Sequence, residues 1–347
     1  MYRRQHDERT PGPANGPDGD ISLEVRDLRV EFTGTTPTKA VEGLDLTVRR
    51  GEIVALVGES GSGKSVTARA VMGLLPAGAR VTEGSIALDG ENVVGLPARR
   101  MDAIRGKRVA MLFQQPKAML DPTATVRDQV AEPLWLHGGL SRRQAGKRVP
   151  ALLADVGIPE PERRAGAYAH QLSGGMAQRV MIAAALAGDP GLLIADEPTT
   201  ALDVTVQAQI LRLLKLKQRE SGMSVLLITH DLGIVASIAD RVAVMYAGRI
   251  VEDGTTADLF ADPQHPYTQA LMKASLLEQE QNRLYTIPGS ATQSRALHQG
   301  CRFRPRCTVA EGLGIAKNCE SREPTLHACG TGHRSRCWIP TPEVVTA

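Results

Sequence analysis

The 347-residue sequence has no apolar run near the roughly 18 residues that cross a bilayer, so no segment is expected to span a membrane. Its start, Met1 to Asp20, has three prolines and three glycines among mixed charges but no apolar core, which argues against a signal peptide. So polar a stretch cannot bury enough surface to offset its ordering entropy, and residues 1–20 read as a disordered tail. A cytosolic chain is therefore expected. A large charge of one sign is also missing: 41 Lys and Arg against 38 Asp and Glu leave +3, too little for a nucleic-acid partner to be expected. Cysteine is absent before position 301, and all five thiols lie from there on. In a reducing compartment such a cluster points to metal rather than disulfides. The length suits one large domain and a smaller one.

What is present begins with Gly58-Glu59-Ser60-Gly61-Ser62-Gly63-Lys64-Ser65, between the apolar run Ile53 to Val57 and the helix-like segment from Val66 to Met72. Strand, glycine-rich turn and helix N-terminus together make an anion site, because glycines let successive N–H groups face phosphate oxygens and the helix dipole adds positive charge. Lys64 is expected to reach the β- and γ-phosphates of a bound nucleoside triphosphate, and the Ser65 hydroxyl to ligate Mg2+.

Around this loop the pattern is α/β. Leu23, Val25, Leu28, Val30 and Phe32, then Val41, Leu44, Leu46 and Val48, are spaced for one face of two strands in a small antiparallel sheet. Phe32, just before a glycine-containing turn, suits either stacking on a nucleobase or core packing. From about Pro97 to Ala169 charged helical segments broken by prolines read as an inserted subdomain. Its leading edge, Val109 to Leu112, is a buried strand that delivers Gln114 to the edge where ligands of α/β sheets bind. Ser173, Gly174 and Gly175 open a further helix, which suits a second phosphate site completing the first across a dimer, and equally an ordinary cap. Leu192 to Ala195 is a strand buried on both faces. It ends in Asp196, suited to Mg2+, and Glu197, suited to polarising water for in-line attack. Val225 to Thr229 brings His230 to the same edge, as a γ-phosphate sensor or an ordinary surface histidine.

These elements, in this order, resemble the ATP-binding subunit of an ABC transporter over about residues 21–260. Gly58 to Ser65 corresponds to the Walker A loop, Gln114 to the Q-loop and Leu172 to Met176 to the signature. Asp196 and Glu197 correspond to Walker B, Ala201-Leu202-Asp203 to the D-loop and His230 to the switch. The resemblance implies an α/β fold: a RecA-like P-loop ATPase core, an antiparallel β-subdomain, a helical subdomain at about 97–180 and a head-to-tail nucleotide sandwich. It implies Phe32 on adenine, Val66 and Asp203 at the nucleotide, and Mg2+ held through Ser65, Gln114 and Asp196. The wording of these segments, and His265 to Leu271, is similar to the D-type subunit of dipeptide and oligopeptide importers. Met176 departs from the wider family's Gln, and Gln115 from its usual acid. For this group the resemblance implies Mg-ATP hydrolysis driving peptide import. The implied partners are a second, F-type ATPase subunit, two membrane permease subunits and an extracytoplasmic peptide-binding protein, with the chain on the cytoplasmic face of the membrane. Import of nickel or another small solute is the alternative, then a soluble ABC ATPase without transport.

Read by spacing alone, the cysteines match neither common zinc pairs nor ferredoxin runs, so cluster, zinc and unligated thiols all stay open. In the resembled group, residues 261–347 would be a C-terminal extension holding a [4Fe–4S] cluster through Cys301, Cys307, Cys319 and Cys337, with Cys329 left over.

Overall fold

The computed structural model describes residues 20–34, 37–200, 202–275, 279–280, 283–290, 294 and 299–339; the expected tail, apart from Asp20, and Ala201 lie outside them. Period-two alternation makes Ile21–Phe32 (β1) and Thr38–Arg49 (β2) an antiparallel pair. Leu23, Val25, Leu28 and Val30 oppose Val48, Leu46, Leu44 and Val41, all fully or almost fully buried. The odd step from Val25 to Leu28 is accommodated by a bulge in which Asp27 takes φ +42. Ile53–Val57 (β3) leads through the phosphate loop into Lys64–Val71 (α1). Ala79–Leu88 (β4) pairs with β1 and with Glu91–Asn92 (β5), which completes a four-stranded sheet ordered β2-β1-β4-β5.

Ala98–Ile104 (α2) precedes Val109–Leu112 (β6), whose four residues are all buried. Then come the helices Pro116–Met119 (α3), Val126–His137 (α4), Arg142–Asp155 (α5), Pro161–Arg164 (α6) and Gly174–Leu186 (α7). Reciprocal capping boxes, Thr125 with Asp128 and Ser141 with Gln144, start α4 and α5 by satisfying first-turn N–H groups. Within the stretch read as a helical insertion, β6 is thus a strand of the main sheet, and α3 to α6 follow it. The remaining core elements are Leu192–Asp196 (β7), Val204–Ser221 (α8), Ser224–Thr229 (β8), Leu232–Ile238 (α9), Arg241–Tyr246 (β9), Arg249–Thr255 (β10), Thr256–Ala261 (α10) and Pro266–Ser275 (α11).

Beyond α11 lie the short pair Gln279–Glu280 (β11) and Arg283–Leu284 (β12), then Ala316–Ser321 (α12), His327–Gly330 (β13) and His333–Ser335 (β14). The large sheet is ordered β13-β14-β10-β9-β3-β8-β7-β6. Its five strands from β9 to β6 are parallel, and their near-continuous apolar sequences follow from burial on both faces. The expected C-terminal extension joins this sheet through main-chain pairing: β14 lies antiparallel to β10, at Glu252 with Ser335 and Asp253 with Arg334. It also packs through side chains, since Tyr246, Tyr267 and Phe303 form one buried aromatic cluster with centroids 4.5 to 5.5 Å apart.

Candidate nucleotide site

The phosphate loop is built where backbone passes too close to other backbone for any side chain. A Cβ on Gly58, at φ +151, would lie 2.1 Å from the Met245 carbonyl oxygen, and one on Gly63, at φ +115, 2.6 Å from that of Ala40. Both positions require glycine. The loop then enters α1 through Gly63, an N-cap with no side chain to offer the first-turn N–H groups, which suits an anion. The Lys64 ammonium donates to the carbonyls of Gly58 (2.7 Å) and Glu59 (3.0 Å). Burial lowers its pKa, opposed by the charges of Glu197, Asp196 and Glu59.

Three parallel strands deliver the remaining groups to the same edge. Asp196, at the end of β7, accepts a hydrogen bond from the Ser65 hydroxyl at 3.1 Å. Burial raises the pKa of this carboxyl, so its ionised form gains from a cation. Glu197 follows in the left-handed region at φ +46, a strained conformation that turns its carboxylate off the strand axis. Its Oε2 accepts from the Gln114 amide nitrogen (2.6 Å) and the Thr200 hydroxyl (2.8 Å), and its Oε1 lies 3.1 Å from Nδ1 of His230. Burial alone would raise the pKa of Glu197, but the hydrogen bonds of Thr200 and His230 outweigh it and hold the carboxyl below its usual range. Phe32, Ser60, Gly61, Gly63, Lys64, Ser65, Val66, Gln114 and Glu197 line one cleft of about 250 Å3.

Other expected residues sit elsewhere. Ser173, Gly174 and Gly175 do not line this cleft. Ser173 caps α7, accepting the Met176 N–H, and a Cβ on Gly175 would meet Val206 of α8 at 2.9 Å. Asp203, expected at the nucleotide, caps α8 by accepting the Val206 N–H at 2.9 Å. Sequence reasoning missed Thr200, whose position three residues after Glu197 in a post-strand turn was the available signal. It also missed Tyr267, which accepts the Glu59 N–H at 2.9 Å, and for which no local signal exists.

Among the described residues no group of three or more His, Cys, Asp or Glu is placed to hold a single metal ion. Three thiols, Cys301, Cys307 and Cys319, nonetheless gather in a small apolar cluster with Ala310 and Ile315, and Cys337 is near enough to bear on Cys301. Burial pushes Cys301 up to about 12 and Cys337 up to about 11; Cys319 and Cys337 add to the first, Cys307 and Cys319 to the second. Burial also raises Cys329, whose charged neighbours are Glu252 and Asp262 rather than the other thiols.

The fold and this cleft define a nucleotide-binding ATPase cassette. The ABC transporter profile matches residues 41–200, and that of the oligopeptide/dipeptide transporter C-terminal region matches residues 251–312. A probable peptide ABC transporter ATP-binding protein of Sinorhizobium fredii is 47% identical over 328 residues, 93% of this chain and 96% of that one. The oligopeptide transport ATP-binding protein OppD of Salmonella typhimurium is 45% identical over 337 residues, 96% of this chain and 97% of the relative. Among solved structures, the dimeric post-hydrolysis state of the cassette MJ0796 bound to ADP and Pi has a TM-score of 0.61 at 29% identity, covering 67% of this chain and 98% of its own. The chain belongs to the ABC transporter family, in the group of ATP-binding subunits of dipeptide and oligopeptide importers.

Proposed function

We propose that this chain hydrolyses ATP to power the import of di- or oligopeptides through a membrane ABC permease. The observation that carries the reading is the Glu197 carboxylate, ionised and held by Gln114, Thr200 and His230 beside Lys64 and the Ser65–Asp196 pair. The C-terminal region shared with oligopeptide and dipeptide transporters directs it to peptides rather than nickel or another solute.

The chain's own residues divide the work. The phosphate-loop N–H groups and Lys64 bind and orient the triphosphate, and Phe32 at the cleft wall is available to adenine. Ser65, Asp196 and Gln114 would hold Mg2+, a donor set that suits this ion because it takes only one or two carboxylates beside phosphate and water. Mg2+, when bound, neutralises charge on the β- and γ-phosphates. Glu197 accepts the proton of the attacking water, and His230, hydrogen-bonded to that carboxylate, keeps it aimed and senses the γ-phosphate. Ser173, Gly174, Gly175 and Asp203 lie outside the cleft and would serve a nucleotide on a second cassette, an F-type homologue in a head-to-tail pair.

No described helix is long and apolar enough to cross a membrane, so attachment would be peripheral, on the cytoplasmic face through two permease subunits supplied by an extracytoplasmic peptide-binding protein. A groove of about 550 Å3, lined by Phe113, Met119 and Trp135 between the Gln114 loop and the helical insertion, offers the permease a seat. The region boundaries proposed are 21–260 for the ATPase and 261–347 for the extension. In the extension Cys301, Cys307, Cys319 and Cys337 would hold a [4Fe–4S] cluster, which supplies a covalent staple. What supports this reading is that Cys301, Cys307 and Cys319 share one apolar cluster and that Cys337 is near enough to bear on Cys301. The test is reconstitution with co-encoded permease and binding protein in vesicles. Peptide-stimulated ATP hydrolysis with uptake supports the reading, and stimulation by nickel but not by peptide overturns it.

A further inference from the structure

We propose that Arg306, in the cysteine-bearing segment, is a positioning residue for the phosphate loop: it holds and neutralises Glu59, and so sets the affinity for MgATP. The inference rests on the nucleotide-site reading above. Arg306 meets Glu59 across 247 positions through two parallel contacts, Nη1 to Oε2 at 2.9 Å and Nη2 to Oε1 at 3.1 Å. This two-point geometry is available to arginine and not to lysine. The guanidinium is almost wholly buried, its side chain 4% exposed, and is itself fixed by the Pro288 carbonyl (2.6 Å) and the Tyr246 hydroxyl (3.2 Å). It therefore behaves as part of a rigid wall rather than as a surface charge finding a partner.

Glu59 is gripped at three points. Its N–H goes to Tyr267, its carbonyl receives Lys64, and its carboxylate receives Arg306. Two of the three grips come from residues after position 260, so the C-terminal region shapes the loop that receives phosphate. The carboxylate also matters as charge. It is the acidic group of a loop built for anions, close enough to bear on the Lys64 ammonium. Without Arg306 it would compete with phosphate for Lys64 and repel the γ-phosphate. Because Arg306 directly precedes Cys307, any rearrangement of the thiol corner shifts this grip.

The experiment measures MgATP affinity of the purified full chain by competition with a fluorescent nucleotide, alongside thermal unfolding. Arg306→Ala should weaken binding by about fivefold or more, within the range usual for coupled sites, in a protein that still unfolds cooperatively, at a lowered midpoint because a buried ion pair has lost one partner. Arg306→Ala combined with Glu59→Gln should return to within about twofold of wild type, since the offending charge is gone. In the assembled transporter the single variant should raise KM for ATP more than it lowers kcat. Unchanged affinity in folded Arg306→Ala, or a double variant as weak as the single, overturns the proposal. If Arg306→Ala does not fold, Arg306→Lys carries the test: weaker binding supports the proposal and wild-type affinity overturns it. Wild-type binding that is lost in Lys64→Ala verifies the nucleotide site independently. Were the wild type not to bind MgATP, that reading would fall and this one with it; were only the Arg306 variants unaffected, this one alone would fall.

Discussion

His230 Nδ1 lies 3.1 Å from Oε1 of Glu197, while the other carboxylate oxygen of Glu197 receives Gln114 and Thr200. Three side chains from separate segments thus hold one carboxylate whose own backbone is strained at φ +46. Such strain, sustained by surrounding contacts, is characteristic of a functional position.

Replacement of Glu197 by Gln keeps shape and removes the base. Turnover in the assembled transporter should fall about 100-fold or more, the scale of general-base catalysis, with MgATP binding retained. Phosphate release near the wild-type rate would refute the role.

Hydrolysis should depend on association. Ser173 to Gly175 do not line the cleft of their own chain, and Gly175 packs against Val206 of α8. A strictly monomeric preparation, verified by sizing under assay conditions, should be a poor ATPase, and addition of the partner cassette should raise its rate. Robust monomer turnover would count against the shared site.

Anaerobically purified protein should be brown, with iron and sulfide near four each per chain, as one cubane requires. Cys301→Ser, Cys307→Ser, Cys319→Ser and Cys337→Ser should each lose most of the iron. Cys329→Ser should not, because its surroundings are Glu252 and Asp262. Stoichiometric zinc without iron, or iron lost only in the Cys329 variant, would show this assignment to be mistaken.

The β13–β14 hairpin should loosen with rising pH. The fully buried Glu252 accepts the N–H groups of Gln264 and His265 and faces Nε2 of His333 at 2.8 Å. The hydrogen bond to Glu252 raises the pKa of His333 against burial, with Asp258 and Asp262 adding to it, whereas burial pushes His265 down to about 4 and leaves it neutral. A histidine raised on folding contributes stability that is complete below its unfolded value of about 6.5 and lost as pH rises through the higher folded value. Hydrogen exchange in β14 should therefore quicken from pH 6 upward more than in β3, and His333→Gln should flatten that difference. Equal pH dependence in the two strands would contradict it.

What could be read in the sequence was whatever contiguous residues encode. Ile53 to Ser65 carries strand, glycine turn and helix start together, so this unit was legible before any tertiary contact, as was the burial of Leu192 to Ala195 from its unbroken apolar run. The gathering of Asp196, Glu197 and His230 was legible for the same reason, since each ends or directly follows a parallel strand and such ends share one edge of the sheet. Tertiary structure alone decided the rest. That β14 joins the main sheet beside β10 and that Arg306 grips Glu59 depend on pairings between segments far apart in sequence. An arginine destined for burial against a carboxylate has the same local pattern as one destined for water. Its partner is selected by packing of the whole chain, here by the aromatic cluster of Tyr246, Tyr267 and Phe303 that brings the cysteine-bearing segment against the phosphate loop.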